Sequence, residues 1–101
     1  MERITVDWAR VPNEHGDPML WFGSWLVGAD GVEGSWFYSG RGGTLDSYDI
    51  PAGTSGVRIR RWPNEGFDAE YADILDLSPG LSINAEELDF DSRQEFSRLS
   101  A

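Results

Sequence analysis

Apolar and polar residues alternate through the first two thirds of the chain, and the alternation sets out a series of strands. Ile4, Val6 and Trp8 interleave with Arg3, Thr5 and Asp7, the period-two pattern of a strand with one buried face. It stops before Pro12, and residues 12–18 (PNEHGDP), proline at each end and glycine inside, read as an exposed loop. Met19 to Val27 is apolar on both pleat faces. Leu20, Phe22 and Leu26 fall on one and Trp21, Trp25 and Val27 on the other, as in a strand covered on both sides or showing one aromatic face to a partner. Residues 28–34 (GADGVEG) form a hairpin connection with Asp30-Gly31 as the turn pair, and Ser35 to Ser39 returns, Trp36 and Tyr38 opposing Phe37.

Gly40-Arg41-Gly42-Gly43 breaks the chain, and Thr44 to Ile50 forms a short strand ended by Pro51. After a turn over residues 52–56, Val57 to Trp62 forms a strand, with Val57 and Ile59 on one face and Arg58, Arg60 and Trp62 on the other. Residues 63–66 (PNEG) end it. The period then changes. Phe67, Tyr71, Ile74 and Leu75 recur at helical spacing behind a capping Asp68, which favours a short helix through Leu77 over a further strand. Leu81 to Ile83 is too short to assign, and a last helix is expected from Asp91 or Ser92 through Leu99, with Phe96 and Leu99 as its apolar pair.

The expected fold is therefore mainly β, an antiparallel sandwich or rolled sheet of five to six strands with one or two short helices in the C-terminal third. Residues 1–101 are read as a single domain, a β body over 1–62 followed by an acidic region over 63–101. Ile4, Val6, Trp8, Leu26, Phe37, Val57 and Ile59 are the expected core. The stretch Ser47 to Trp62 (SYDIPAGTSGVRIRRW) resembles the late-strand region of fibronectin type III-like sandwiches, without the tyrosine corner that often follows there. That resemblance implies an antiparallel sandwich and nothing about activity.

Charge divides the chain. Residues 1–62 carry eight acids and six Arg, net −2, whereas residues 63–101 carry ten acids and two Arg, net −8. Such an end attracts basic partners and repels nucleic acid and anionic membrane. With 40% apolar and 13% aromatic residues the chain has ample material for a core, so its acidity does not signify disorder. Every basic side chain is Arg, which suits a GC-rich coding sequence, bacterial or phage, better than salt adaptation, because the acids are clustered. The start MERITVDW has no apolar stretch of the kind a signal peptide needs, and the longest apolar run, Met19 to Phe22, is far too short to span a bilayer. Virion or cytoplasm is the expected location, and both termini, Met1 and Ala101, are expected to be tied down in an assembly.

The catalytic inventory is thin. There is no Cys and no Lys, which removes thiol and Schiff-base chemistry, and His15, the only histidine, reads as an exposed loop residue. Gly53-Thr54-Ser55-Gly56 lacks the nucleophile-elbow spacing. Gly40-Arg41-Gly42-Gly43 lacks the phosphate-loop Lys and reads as a hairpin loop rather than an anion cradle. Asp89-Phe90-Asp91 and Asp30-x-x-Glu33 offer oxygen ligands but fall short of a full calcium loop. No catalytic, cofactor or metal residue is expected.

Three groups remain as candidates. Trp21, Trp25, Trp36 and Tyr38 are a candidate protein-contact face. Asp68, Glu70, Asp73, Asp76, Glu86, Glu87, Asp89 and Asp91 are a candidate acidic surface. Arg58, Arg60 and Arg61 are a basic cluster, expected to pair with the acidic end and dock it on the sheet rather than to bind nucleic acid directly. The expected function is a non-enzymatic protein-binding domain, a phage structural or assembly protein such as a capsid-decoration, connector or tail component, its partner a protein met by self-assembly or in a larger complex. One alternative is a small acidic inhibitor or nucleic-acid mimic, an anti-defence or immunity protein with a basic target. A second is a carbohydrate-binding β-sandwich module.

Overall fold

The computed structural model describes residues 2–62, 69–75 and 77–91. Among the described residues there are seven strands, β1 (Arg3–Asp7), β2 (Leu20–Val27), β3 (Val32–Gly40), β4 (Leu45–Asp49), β5 (Thr54–Trp62), β6 (Glu70–Ile74) and β7 (Ser82–Asn84), and one 3-10 turn over Ala85–Glu87. They form a three-stranded sheet in the order β4-β1-β7 and a four-stranded sheet in the order β3-β2-β5-β6. The four-stranded sheet is antiparallel throughout, but β7 runs parallel to β1, pairing Thr5 with Ser82 and Val6 with Ile83. The protein is mainly β and sandwich-like. Among the described residues no helix is long and apolar enough to cross a membrane.

Alternation along β1 and β5 accounts for the core. Ile4 and Val6 of one sheet meet Val57 and Ile59 of the other, and all four are fully buried together with Trp8, Trp21 and Trp25. Full burial of one such aliphatic side chain stabilises the fold by about 1.5–3 kcal/mol. Phe37, expected in the core, is half-buried and packs on it. Leu26 is sealed as expected but on the opposite face of β2, where it and Leu75 lie over Gly56.

Trp8 ties the sheets together. Its indole stacks on Tyr38 (centroids 4.1 Å apart), touches Phe37 at 5.9 Å, and donates its Nε1–H to the Tyr48 hydroxyl at 3.1 Å. Both aromatic partners reach the same side of β3 because the strand bulges. Gly23 pairs with Tyr38 but Ser24 with Trp36, leaving Phe37 as the extra residue. Simple alternation, which sets Tyr38 and Phe37 on opposite faces, fails there for that reason. The bulge leaves no room on β2: a Cβ on Gly23 would lie 2.7 Å from both Phe37 Cζ and Trp8 Cη2.

The helix expected over Phe67–Leu77 is a correction. Residues 70–74 are strand β6, paired with β5 from Arg61↔Glu70 to Val57↔Ile74. Helical spacing of Tyr71, Ile74 and Leu75 is overridden by cross-strand partners. Tyr71 joins Arg60 on the outer face, Ala72 and Ile74 turn inward, and Leu75 is half-exposed. Of the unassigned Leu81–Ile83, Ser82 and Ile83 belong to β7. Phe67 and the capping Asp68 lie outside the described residues, as does all of the last expected helix beyond Asp91.

Two measurements test this core. Gly23→Ala forces the Trp8 and Phe37 rings to shift, and is expected to lower stability in urea unfolding by ~1–3 kcal/mol; a loss below ~0.5 kcal/mol would show that the bulge relaxes freely. The Tyr48 phenol is pushed up to about 12, chiefly by loss of solvation, with Asp46 adding to the rise and the Trp8 hydrogen bond opposing it. Folded Tyr48 thus holds its proton where the unfolded chain loses it near pH ~10. Its contribution is complete below that pH and lost as the pH rises toward about 12. Tyr48→Phe should flatten that part of the stability profile relative to wild type.

Candidate functional site

The two outward faces of the sandwich differ in chemistry. On the three-stranded sheet the outward positions are small or polar apart from Leu45, which is 69% exposed: Thr5 and Ser47 share a hydroxyl hydrogen bond at 3.1 Å, and Arg3 meets Asp49 at 3.4 Å. On the four-stranded sheet they carry aromatic rings and arginines. Phe22 faces Arg60, Ser24 faces Arg58 and Leu20 faces Trp62 across the β2–β5 ladder, while Arg60 faces Tyr71 and Arg58 faces Asp73 across β5–β6. β2 and β5 are adjacent although two strands separate them in sequence, and that adjacency builds the site.

At its base lies a buried ion pair. Arg58 Nε donates to Asp73 Oδ1 at 2.8 Å and Nη2 to Oδ2 at 3.0 Å, with the two side chains only 1% and 8% exposed. This bidentate geometry is what a guanidinium needs to replace the water it has lost. Above it, Arg60 Nη2 reaches both Glu33 oxygens at 3.2 Å, and Glu33 also accepts the Ser24 hydroxyl at 2.7 Å. The Arg60 guanidinium lies 5.1 Å from the centroid of Phe22, 5.9 Å from Trp62 and 4.9 Å from Tyr71, inside cation–π range of all three. Trp36 stacks on Phe22 at 4.9 Å and 21° and keeps 60% of its surface exposed. Leu20, 42% exposed, extends the apolar patch.

The four residues expected as one contact face are thereby separated. Trp21 and Trp25 are buried in the core, Tyr38 is half-buried under Trp8, and Trp36 alone stands outward on the aromatic face. A β2 face carrying two tryptophans is the face a small sandwich needs for its interior. Phe22, Tyr71 and Glu33 are the members of the site that the sequence pattern did not bring together with Arg60 and Trp62. Their only sequence signal is parity, since Phe22 on β2 and Arg60 and Trp62 on β5 occupy alternate positions facing away from Trp21 and Ile59.

The basic cluster is spoken for by carboxylates. Arg58 pairs with Asp73 and Arg61 with Glu70 at 2.8 Å, both from the acidic region, whereas Arg60 turns to Glu33 of the body. Arg61 also lies 4.0 Å over the Phe90 ring, which meets Trp21 edge-on. The candidate acidic surface is accordingly divided. Glu70 and Asp73 are neutralised in these pairs, Glu86, Glu87 and Asp89 face water, and Asp91 pairs its backbone with Tyr71. Asp68 and Asp76 lie outside the described residues.

The minor candidates resolve as ordinary structure. In the glycine loop, Gly42 N–H donates to the Tyr38 hydroxyl and Gly43 N–H to the Trp8 carbonyl, so these amides are not turned toward an anion. A Cβ on Gly42, at φ 78°, would collide with the Ala9 carbonyl, which explains the glycine. His15 is exposed, its Nε2 3.6 Å from Glu14, in a loop organised by Asn13 Oδ1. Glu33, half of the Asp30-x-x-Glu33 pair, is occupied by Arg60 and Ser24. Among the described residues no three His, Asp or Glu side chains gather as a metal site.

Breaking the buried pair on one side strands a charge, which costs ~3–5 kcal/mol. Asp73→Asn is expected to destabilise by that order in urea unfolding, and the double replacement Arg58→Met with Asp73→Leu to recover most of the loss. A single variant as stable as wild type would show that β6 docks without the pair. Among known proteins, no family model, curated protein or solved structure matches this chain, and its function is read from the chemistry of this face.

Proposed function

We propose that the protein is a non-enzymatic protein-binding domain working as a structural or assembly subunit, of the capsid-decoration, connector or tail type found in phage particles, and that it meets its partner through the outer face of the four-stranded sheet. The observation that carries the reading is Trp36, stacked on Phe22 and 60% exposed at the β3 edge of an aromatic and arginine surface. Apolar patches rimmed by polar groups mark interaction sites, and Trp, Tyr and Arg dominate their energetics. The outward face of the other sheet is polar except for the isolated Leu45 and carries no aromatic cluster, which makes the aromatic face the one requiring a role.

The same arrangement weighs against the acidic mimic. Glu70 and Asp73 act inside the fold, so a phosphate-like array cannot be continuous through β6. It weighs equally against direct nucleic-acid binding, because Arg58, Arg60 and Arg61 each hold a carboxylate. A sugar-binding platform is the reading that the exposed Trp36 ring beside the Arg60–Glu33 pair keeps as second.

The test compares two variants in complexes recovered from the protein's native source. Trp36→Ala is expected to weaken association at least ~10-fold with the fold intact, as for a hot-spot tryptophan. The set Glu86→Arg, Glu87→Arg and Asp89→Arg should leave it in place. The reverse pattern would make the acidic end the working surface, and loss of oligosaccharide binding alone in Trp36→Ala would make the domain a sugar binder.

A further inference from the structure

The charge on the aromatic face closes on itself. Arg58 with Asp73 and Arg60 with Glu33 pair on this face, and Arg61 pairs with Glu70 on the other face of the same sheet, so β3, β5 and β6 together carry no net charge. The remaining described surface is strongly negative. Nine exposed carboxylates, among them Glu2, Asp30, Glu86 and Asp89, stand against three exposed arginines, Arg3, Arg10 and Arg41. The whole chain carries −10. A neutral aromatic patch is therefore set in an acidic field.

From this we infer that the patch is occupied by a different protein, one that presents an aromatic or leucine plug ringed by Lys and Arg, and not by a second copy of this chain. The inference rests on the contact-face reading above and names the chemistry of its partner. Two copies joined through this face would bring −10 against −10, and like-signed fields oppose association. A basic rim is instead drawn in by the net negative charge of the chain, while its apolar centre covers Trp36, Phe22 and Leu20. The partner docks by side chains and not by adding a strand. β3, the edge strand bearing Trp36, departs from regular pairing twice, opposite Gly23/Ser24 and opposite Ser24/Leu26, and bulges of that kind blunt an edge against further pairing. Arg60 stays in place, held by Glu33 and three rings, so the surface is formed before the partner arrives.

The experiment uses the full chain and three short synthetic peptides: a Trp-Leu-Trp centre with arginine flanks, the same centre with glutamate flanks, and a Gly-Ser centre with arginine flanks. Binding is measured by calorimetry, and the mass of the chain alone by sedimentation equilibrium, at about 50 and about 500 mM NaCl. The expected result is a monomer at both salts. It binds the arginine-flanked aromatic peptide at least ~10-fold more tightly than either control, more weakly at high salt, and at least ~10-fold more weakly after Trp36→Ala. Equal binding of the three peptides, absence of saturable binding, or indifference to Trp36→Ala would overturn the inference. Self-association that tightens with salt and is lost in Trp36→Ala would also overturn it, yet would leave the face as a protein contact. Native complexes indifferent to Trp36→Ala would instead remove the contact-face reading itself.

Discussion

The contact between Arg58 and Asp73 decides more of this structure than any other. Two opposite charges nearly sealed from water are tolerable only when each satisfies the other's hydrogen bonds, and here two N–H groups meet two carboxylate oxygens. For that to happen Asp73 must sit directly across from Arg58, which requires the segment to be extended and in register. An apolar pattern suited to a helix is thus drawn into a strand, and part of the acidic region becomes the fourth strand of a sheet. Arg61 with Glu70 repeats the logic three residues along and on the other face of the sheet, in a more exposed setting where such a pair contributes less.

That docking has a consequence on the outside of the sheet. Once β6 is placed, Tyr71 and Asp73 stand beside Arg60 and Arg58, and the long side chains of β5 are enclosed from one side by β2 and from the other by β6. The result is a second, shallow core on an outward face, made of rings and guanidinium groups held by carboxylates. Ser24, Leu26 and Arg58 are fully buried there, although among the described residues no second sheet lies above them. Such a layer has little freedom left to lose on binding, whereas a face of loose Lys or Glu side chains would have to be ordered first. Trp36 is the part of it that water still reaches most.

The inner core depends on a different constraint, the shape of Trp8. An indole projecting from one sheet has to find flat partners and a hydrogen-bond acceptor in the same place. Tyr38, Phe37 and Tyr48 supply them, but only because β3 bulges opposite Gly23, which has no side chain to stand in the way. The bulge that packs Trp8 also turns Tyr38 inward while leaving Trp36 outward, so one local irregularity both completes the core and exposes the aromatic patch.

Local chemistry was enough to read the strands β1, β2, β4 and β5, the hairpin turn at Asp30-Gly31, the buried faces of β1 and β5, and the tendency of the arginines to pair with acids. Each of these follows from spacing along the chain, which alternation and turn residues report directly. What only the tertiary structure decided was everything that needs two distant segments side by side. Residues 70–74 became a strand because β5 offered charged partners in register. β7 paired in parallel with β1 at the far end of the sequence. Phe22, Arg60, Trp62 and Tyr71 converged because β2, β5 and β6 are neighbours in space. Trp21 and Trp25 went inside while Trp36 stayed out, although all three are tryptophans on adjacent strands. Composition cannot separate them, because burial belongs to the face that the opposing sheet covers and not to the residue.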